Sequence, residues 1–188
     1  MRLILMRHGN TFEKGDTPIQ VGARTDLPLT SFGKEQAKRV LEYILKNRID
    51  LRAIYTGTLR RQKESAEIIG KHFKLSCQTT ETLNEIDYGK WEGLPSETIK
   101  TKWPEEYSAW THDAIWPKNI FNSSYAAFQK TLNNWLASLL KIHEKDATIL
   151  GVTSNGLLRM FRNEKVKTGN FCELDLYPGG FEIQSWNQ

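Results

Sequence analysis

Leu3-Ile4-Leu5-Met6-Arg7-His8-Gly9-Asn10-Thr11 stands near the start of the chain and indicates both a fold and a chemistry. The four apolar residues at its head predict a buried strand. Arg7 then offers a planar set of N–H donors that suits a phosphoryl group, and His8 is a nitrogen nucleophile that is largely neutral near pH 7. Gly9 lets the backbone turn sharply and approach a ligand closely. The stretch therefore predicts a phosphate site at the end of a strand.

Composition limits the remaining possibilities. A chain of 188 residues with 39% hydrophobic and 26% charged residues is typical of one folded domain, which we expect to cover residues 1–188. The net charge of +4 comes without any dense run of Lys or Arg, so we expect no nucleic-acid partner. The first apolar run is too short for a signal peptide or a membrane span. The two cysteines are far apart in sequence, which favours two buried thiols and a cytoplasmic location.

Strand-like and helix-like patterns alternate along the chain. Strands are predicted over 3–6, 53–55, 75–79, 147–152, 171–177 and 181–186. Helices are predicted from 30 or 31, over 59–73, 125–143 and 155–162. A segment over about 95–122, rich in Trp and Pro, is expected to be a short helix with irregular chain that forms a lid or side wall. This alternation predicts an α/β fold of three layers, with a mainly parallel central sheet and helices on both faces.

In such a sheet the site lies beyond the carboxyl ends of the strands. Three loops leave such ends, after Met6, after Tyr55 and after Val152. The second loop reads Thr56-Gly57-Thr58-Leu59-Arg60-Arg61-Gln62-Lys63-Glu64-Ser65-Ala66-Glu67. Together with the first loop it resembles the histidine phosphatase superfamily, whose phosphoglycerate-mutase-like members carry Ser-Ser-x-Leu-x-Arg-Ala-x-Gln-Thr-Ala-Glu here. Aligned on Leu59, the phosphate-binding arginine of the family falls on Arg61.

Two further stretches extend the resemblance along nearly the whole chain. Leu83 to Gly93 is similar to the family's Leu-x-Glu-x-x-Phe-Gly-x-Trp-Glu-Gly segment, whose first glutamate is the usual proton donor, and that glutamate falls on Glu85. The segment from Thr25 to Ala37 is close to the family's entry into its first helix. The resemblance implies a phosphoglycerate-mutase-like fold without a cofactor or a metal ion. It also implies that His8 is the nucleophile and that Arg7 and Arg61 hold the phosphoryl oxygens.

One expected part is absent. The family follows its central strand with Ser-His-Gly-Gly-Val-x-Arg, whereas this chain has Thr153-Ser154-Asn155-Gly156-Leu157-Leu158-Arg159. The second histidine of the family thus falls on Ser154, and the glycine after it falls on Asn155. Both residues, like Asn10, remain candidate phosphate ligands through neutral donors. Loss of a charged donor costs about 2–4 kcal/mol of transition-state stabilisation, although the N-terminus of the following helix favours an anion. His112, in the Trp-rich segment, is an alternative replacement for the missing histidine.

These residues predict a phosphomonoester hydrolase that acts on a small phosphorylated substrate through a phosphohistidine on His8. Glu85 is expected to protonate the leaving oxygen, and the change to Ser154 is expected to slow the reaction. Two alternatives stay open at this point. One is a phosphoglycerate-type mutase, and the other is a catalytically weak phosphate-binding or scaffold protein. The sequence leaves the physiological substrate and the oligomeric state open.

Overall fold

The computed structural model describes residues 1–188, which form six strands and six α-helices. The strands are β1 (Arg2–Arg7), β2 (Leu51–Thr56), β3 (Cys77–Thr79), β4 (Thr148–Thr153), β5 (Phe171–Tyr177) and β6 (Gly180–Ser185). The helices are α1 (Ser31–Lys46), α2 (Arg60–Phe73), α3 (Ser96–Lys102), α4 (Pro104–Asp113), α5 (Tyr125–Ile142) and α6 (Asn155–Leu158).

All six strands belong to one sheet, in the order β3-β2-β4-β1-β5-β6. The first four strands in that order pair in parallel, whereas β5 and β6 are antiparallel to their neighbours. The prediction of a mainly parallel central sheet is therefore confirmed. Because β2, β4 and β1 are adjacent, their carboxyl ends meet at one edge. Arg7 pairs with Thr153 and Thr56 pairs with Val152 at that edge, so the three predicted loops leave the sheet side by side.

Alternation along the strands divides the core between the two faces of the sheet. On one face, Ile4, Ile54 and Leu150 pack against the apolar sides of α1 and α2. On the other face, Leu3 and Ile149 pack against α5, whose buried positions are Leu132, Trp135, Leu136 and Leu139. Helices thus cover both faces, as predicted, and the functional loops project from the edge between the two helical layers.

A close backbone contact fixes the first loop. A Cβ atom on Gly9 would lie 2.2 Å from the carbonyl oxygen of Gly33 in α1, so only glycine fits at this position. The start of α1 is in turn held by Thr30, whose side chain accepts a hydrogen bond from Gly33 N. Gly9 is therefore required for packing against α1, and this contact sets the direction in which His8 leaves β1.

The segment over about 95–122 is more regular than predicted, because it contains both α3 and α4. Pro104 begins α4 rather than interrupting a helix, since proline is well tolerated in the first turn. The segment encloses an aromatic cluster of its own, in which Trp91, Trp110 and Phe121 are buried with their rings in edge-to-face contact.

Two other predictions require correction. The helix expected over 155–162 ends at Leu158 and continues only as turns. Cys77 is half-buried rather than buried, and both cysteines are free thiols. None of the six helices combines the length and the apolar character that a membrane crossing requires.

Candidate active site

A cavity of about 380 Å³ opens at the carboxyl edge of the sheet. Five of the predicted site residues line it, namely Arg7, His8, Asn10, Glu85 and Asn155. Its outer wall includes Tyr107, Trp110 and Thr111 from α4, so the Trp-rich segment faces this cavity. A larger depression of about 730 Å³ lies between residues 114 and 126, but Lys118 is its single charged lining residue. Charged groups converge only in the smaller cavity, which makes it the candidate active site.

Two contacts define the state of the His8 ring. Its Nδ1 atom lies 2.7 Å from the carbonyl oxygen of Gly9, which can only accept a hydrogen bond, so Nδ1 must carry a proton. The Nε–H of Arg61 points at the Nε2 atom of His8 at 3.2 Å, which requires a lone pair there. Both contacts specify the same tautomer, a neutral ring with Nε2 as its basic atom. The side chain is only 6% exposed.

Electrostatics keeps that ring neutral. Burial, together with the positive charges of Arg61 and Arg7, lowers the pKa of His8 well below its ordinary value of 6.5. A neutral imidazole whose Nε2 carries a lone pair is a competent nucleophile at neutral pH once a ligand takes over the hydrogen bond from Arg61.

Arg61 is completely buried and is held by backbone carbonyl groups. Its Nη1 atom donates to Thr25 O at 2.7 Å, and its Nη2 atom donates to Gly22 O at 3.1 Å. Burial lowers the pKa of Arg61 from 12.5, which still leaves the group cationic near pH 7. Its guanidinium forms no salt bridge, so its positive charge is available to an anion beside His8.

Arg7 approaches the cavity from β1. Its Nη1 atom donates to Val166 O at 2.6 Å, and its buried Nε atom has no hydrogen-bond partner. An unpaired donor on a buried cation is costly unless a ligand satisfies it. The two arginines and the His8 ring therefore form an electropositive group with one unsatisfied buried donor, Arg7 Nε, which suits a phosphoryl group.

Glu85 is the one acidic residue that lines the cavity. Its Oε1 atom accepts hydrogen bonds from Ile86 N at 2.9 Å and from Gly156 N at 3.0 Å. Burial raises the pKa of the carboxyl group, and these hydrogen bonds and both arginines oppose that rise. Because Oε1 is occupied as an acceptor, a proton on Glu85 would reside on Oε2.

The start of α6 thus has a different role from the one predicted. The sequence suggested that this helix N-terminus would bind an anion of the substrate in place of the missing histidine. Instead, Gly156 N donates to the Glu85 carboxylate. One donor at the start of this short helix is therefore occupied in orienting the acid.

Ser154, like Arg61, is fully buried and does not form part of the cavity lining. Its hydroxyl oxygen accepts a hydrogen bond from Nε2 of Gln62 at 2.9 Å, and the same amide donates to Leu83 O at 2.8 Å. Gln62 was not identified from the sequence. A signal existed, because Gln62 occupies the position at which the family pattern has alanine. A large polar residue on α2 therefore accompanies the small residue at position 154.

The remaining predicted ligands differ in how free their side chains are. The Oδ1 atom of Asn155 accepts from Val166 N at 2.9 Å, which leaves its two amide protons available. Asn10 uses one amide proton for Phe12 O at 2.6 Å. His112 is exposed and lies outside the cavity lining, so the structure does not support it as a replacement histidine.

The cavity lining includes further polar residues that were not selected from the sequence, among them Tyr88, Arg159 and Lys165. Burial, and then the charge of Glu85, raises the pKa of Tyr88 well above 10.0, so its hydroxyl stays protonated. The two basic residues add positive charge to a lining with one acid, Glu85. Arg159 matches the last residue of the family segment that follows the central strand, but no role was assigned to it, and Lys165 lies outside the matched motifs.

The sequence of residues 3–188 matches the model of the histidine phosphatase superfamily, branch 1. The chain belongs to this superfamily, in agreement with the fold and with the residues at the cavity.

Individual relatives carry phosphatase names. The chain is 35% identical over 101 residues to an uncharacterized phosphatase PhoE of Bacillus subtilis, a match that covers 54% of this chain and 50% of the relative. It is 29% identical over 160 residues to the adenosylcobalamin/alpha-ribazole phosphatase of Escherichia coli, covering 85% of this chain and 76% of the relative. A mycobacterial glucosyl-3-phosphoglycerate phosphatase, solved with VO3, superimposes with a TM-score of 0.86 at 22% identity, covering 99% and 98% of the two chains. The relatives' names support phosphatase activity in general, and the superposition supports the fold.

Proposed function

We propose that this chain hydrolyses small phosphomonoesters through a phosphohistidine intermediate on His8. The observation that carries the proposal is the fixed tautomer of His8. Its Nε2 lone pair lies beside Arg61, in a cavity that also contains Arg7 and Glu85. Membership of the histidine phosphatase superfamily and the names of the relatives support the same reaction.

The first step forms the covalent intermediate. Arg7 and Arg61 bind the nonbridging oxygens of the phosphoryl group, and a phosphoryl oxygen takes over the hydrogen bond that Arg61 Nε now donates to His8. Nε2 of His8 attacks phosphorus, and the bond from phosphorus to the leaving oxygen breaks. The arginines stabilise the charge that spreads over the phosphoryl oxygens in the transition state.

Glu85 moves the proton in both steps. Its raised pKa favours the protonated form needed to neutralise the leaving alkoxide. The resulting carboxylate then accepts a proton from the water that attacks the phosphohistidine. Inorganic phosphate and free His8 are the products of this second step. The arginines supply the positive charge, so the proposed reaction does not need a metal ion.

Turnover of para-nitrophenyl phosphate tests the proposal. We expect His8→Ala to abolish release of nitrophenol, whereas His72→Ala, a change at an exposed histidine of α2, leaves it unchanged. A chelating agent should not alter the rate. Unchanged turnover in His8→Ala would refute the proposed nucleophile.

One observation favours a second candidate, a phosphate-binding protein with little catalytic activity. In the motif alignment the second histidine of the family falls on Ser154, whose hydroxyl is engaged by Gln62. Such a protein would bind inorganic phosphate in a manner that depends on Arg61, yet the wild-type chain would release no nitrophenol even at high enzyme concentration. Calorimetric titration with phosphate, carried out beside the turnover assay, separates the two candidates.

A further inference from the structure

Arg159 presents an unusual combination of burial and missing partners. It is 6% exposed, and its guanidinium carbon lies 4.4 Å from the centroid of the Trp110 ring. Its Nη2 atom donates to Asn163 Oδ1 and, at 3.4 Å, to Thr111 O. Its Nε and Nη1 atoms are buried without any hydrogen-bond partner. A buried cation with two unsatisfied nitrogens and no carboxylate partner is expensive unless a ligand compensates it.

Lys165 lines the same cavity as Arg159 and Arg7, and unlike Arg159 it is exposed to solvent. Its ammonium group forms no salt bridge. Partial desolvation, and then the positive charges of these two arginines, lowers the pKa of Lys165. The lysine thus lies among like charges without a salt-bridge partner.

A count of charges indicates what the cavity is built to receive. A phosphomonoester dianion matches the charges of Arg7 and Arg61, the two arginines closest to the His8 nucleophile. Glu85 contributes no negative charge while it is protonated. Arg159 and Lys165 therefore leave about two positive charges that a simple phosphate would not neutralise, and the buried charge of Arg159 in particular attracts an anion strongly.

We propose that Arg159 and Lys165 form a second anionic subsite, which binds a carboxylate or a second phosphate carried by the leaving part of the substrate. The inference rests on the proposed function and narrows its substrate class to phosphomonoesters that carry two acidic groups. Guanidinium and ammonium donors both suit carboxylate and phosphate oxygens. The stacking of Arg159 on Trp110 holds the guanidinium in position, so little side-chain entropy is lost when the anion binds.

The test compares two substrates that differ in one group. Glycerol 3-phosphate and 3-phosphoglycerate share the same phosphate ester, and only the second carries a carboxylate. Fructose 6-phosphate and fructose 1,6-bisphosphate form the corresponding pair for a second phosphate. We expect the wild type to have a kcat/KM at least tenfold higher for the member of one pair that carries the additional acidic group. The pair that shows this preference identifies whether the subsite binds a carboxylate or a second phosphate.

Variants assign that preference to the two residues. Arg159→Met keeps an apolar stem against Trp110 and should abolish the preference, so that kcat/KM for the acidic member of the pair falls to that for the other member. Arg159→Lys should restore part of the preference, and Lys165→Met should reduce it. Lys167→Met serves as the matched control, because Lys167 is exposed and does not line the cavity.

Two outcomes would overturn the subsite. One is a wild type that does not discriminate within either pair, and the other is a preference that Arg159→Met and Lys165→Met both leave intact. If the wild type hydrolyses none of these compounds and not even para-nitrophenyl phosphate, the phosphatase proposal fails separately. Calorimetric binding of the same pairs to the wild type and to Lys165→Met then decides the subsite on its own.

Discussion

Introducing a histidine at position 154 should accelerate the reaction, but only if Gln62 is changed with it. Both residues are completely buried, and the Gln62 amide donates directly to the Ser154 hydroxyl. An imidazole introduced by Ser154→His alone would meet that amide. The sequence suggested that Asn155 would limit the room for the ring, whereas the structure identifies Gln62 as the neighbour in contact.

The magnitudes follow from this packing. Overfilling a packed interior costs about 1–3 kcal/mol, and 1 kcal/mol corresponds to about 2–4 °C in Tm for a chain of this size. Ser154→His alone should therefore lower Tm by several degrees. Gln62→Ala provides space for the imidazole. Leu83 O then loses its hydrogen bond from Gln62 but keeps the one from Thr153 Oγ1 at 2.8 Å. The double variant should recover most of the lost stability, because changes at contacting residues are coupled.

Turnover is the decisive quantity. A charged donor at the phosphoryl group is worth about 2–4 kcal/mol in the transition state, and each 1.36 kcal/mol is tenfold in rate. We expect the Gln62→Ala, Ser154→His variant to raise kcat for glycerol 3-phosphate at least tenfold, measured by phosphate release. Gln62→Ala with Ser154→Asn, which introduces a neutral amide of similar size, is the control.

Two results would refute this reasoning. The first is a double variant with a Tm near that of the wild type and no gain in kcat. The second is a wild-type kcat already in the usual range of about 1–1,000 s⁻¹, which would mean that the change to Ser154 does not slow the enzyme.

The other predictions concern Glu85 and His8. Glu85→Gln should give a burst of about one equivalent of nitrophenol from para-nitrophenyl phosphate, followed by slow turnover. The reason is that this leaving group needs no proton, whereas the attacking water needs a base. Steady turnover without a burst in stopped-flow records would contradict the role of Glu85 as that base. The pKa of Glu85 is raised in the folded state, so the unfolded chain ionises first and wild-type stability falls as pH rises above 4.5 through the folded pKa. The free energy of unfolding in urea should therefore increase for Glu85→Gln relative to the wild type between pH 4.5 and pH 7. An equal difference between the two proteins at both pH values would contradict a raised pKa of Glu85. Because the pKa of His8 is lowered well below its ordinary value of 6.5, the chemical shift of its ring carbon in NMR spectra should not change around pH 6.5. A titration midpoint near pH 6.5 would contradict a His8 ring kept neutral by the two arginines.

The fold and the main site residues could be predicted because they depend on local patterns. Buried parallel strands appear as continuous apolar runs, and the ends of three such strands identified the loops that carry Arg7, His8 and Arg61 to one edge. Glu85 followed from the family resemblance. The alternation of strands and helices gave the layers, and the structure confirms the sheet that joins them.

The remaining features depend on contacts between distant segments, which no local pattern records. Gln62 reaches Ser154 across 92 positions of sequence, and Gly156 N reaches Glu85 across 71. The stacking of Arg159, the residue after α6, on Trp110 likewise joins this part of the chain to the Trp-rich segment. Hydrophobic periodicity predicted the Trp-rich segment poorly. Its aromatic residues pack edge to face in a separate buried cluster and do not form one face of an amphipathic helix.

The phosphoenzyme is the species that tests the proposed mechanism most directly. Glu85→Gln should accumulate it, because the variant lacks the base for hydrolysis, and para-nitrophenyl phosphate followed by a rapid quench should trap it. We predict one phosphoryl group per chain, stable in base and labile in acid, and assigned to Nε2 of His8 by tandem mass spectrometry and phosphorus NMR. Product formation without that adduct, or a phosphoryl group on any other residue, would contradict nucleophilic catalysis by His8.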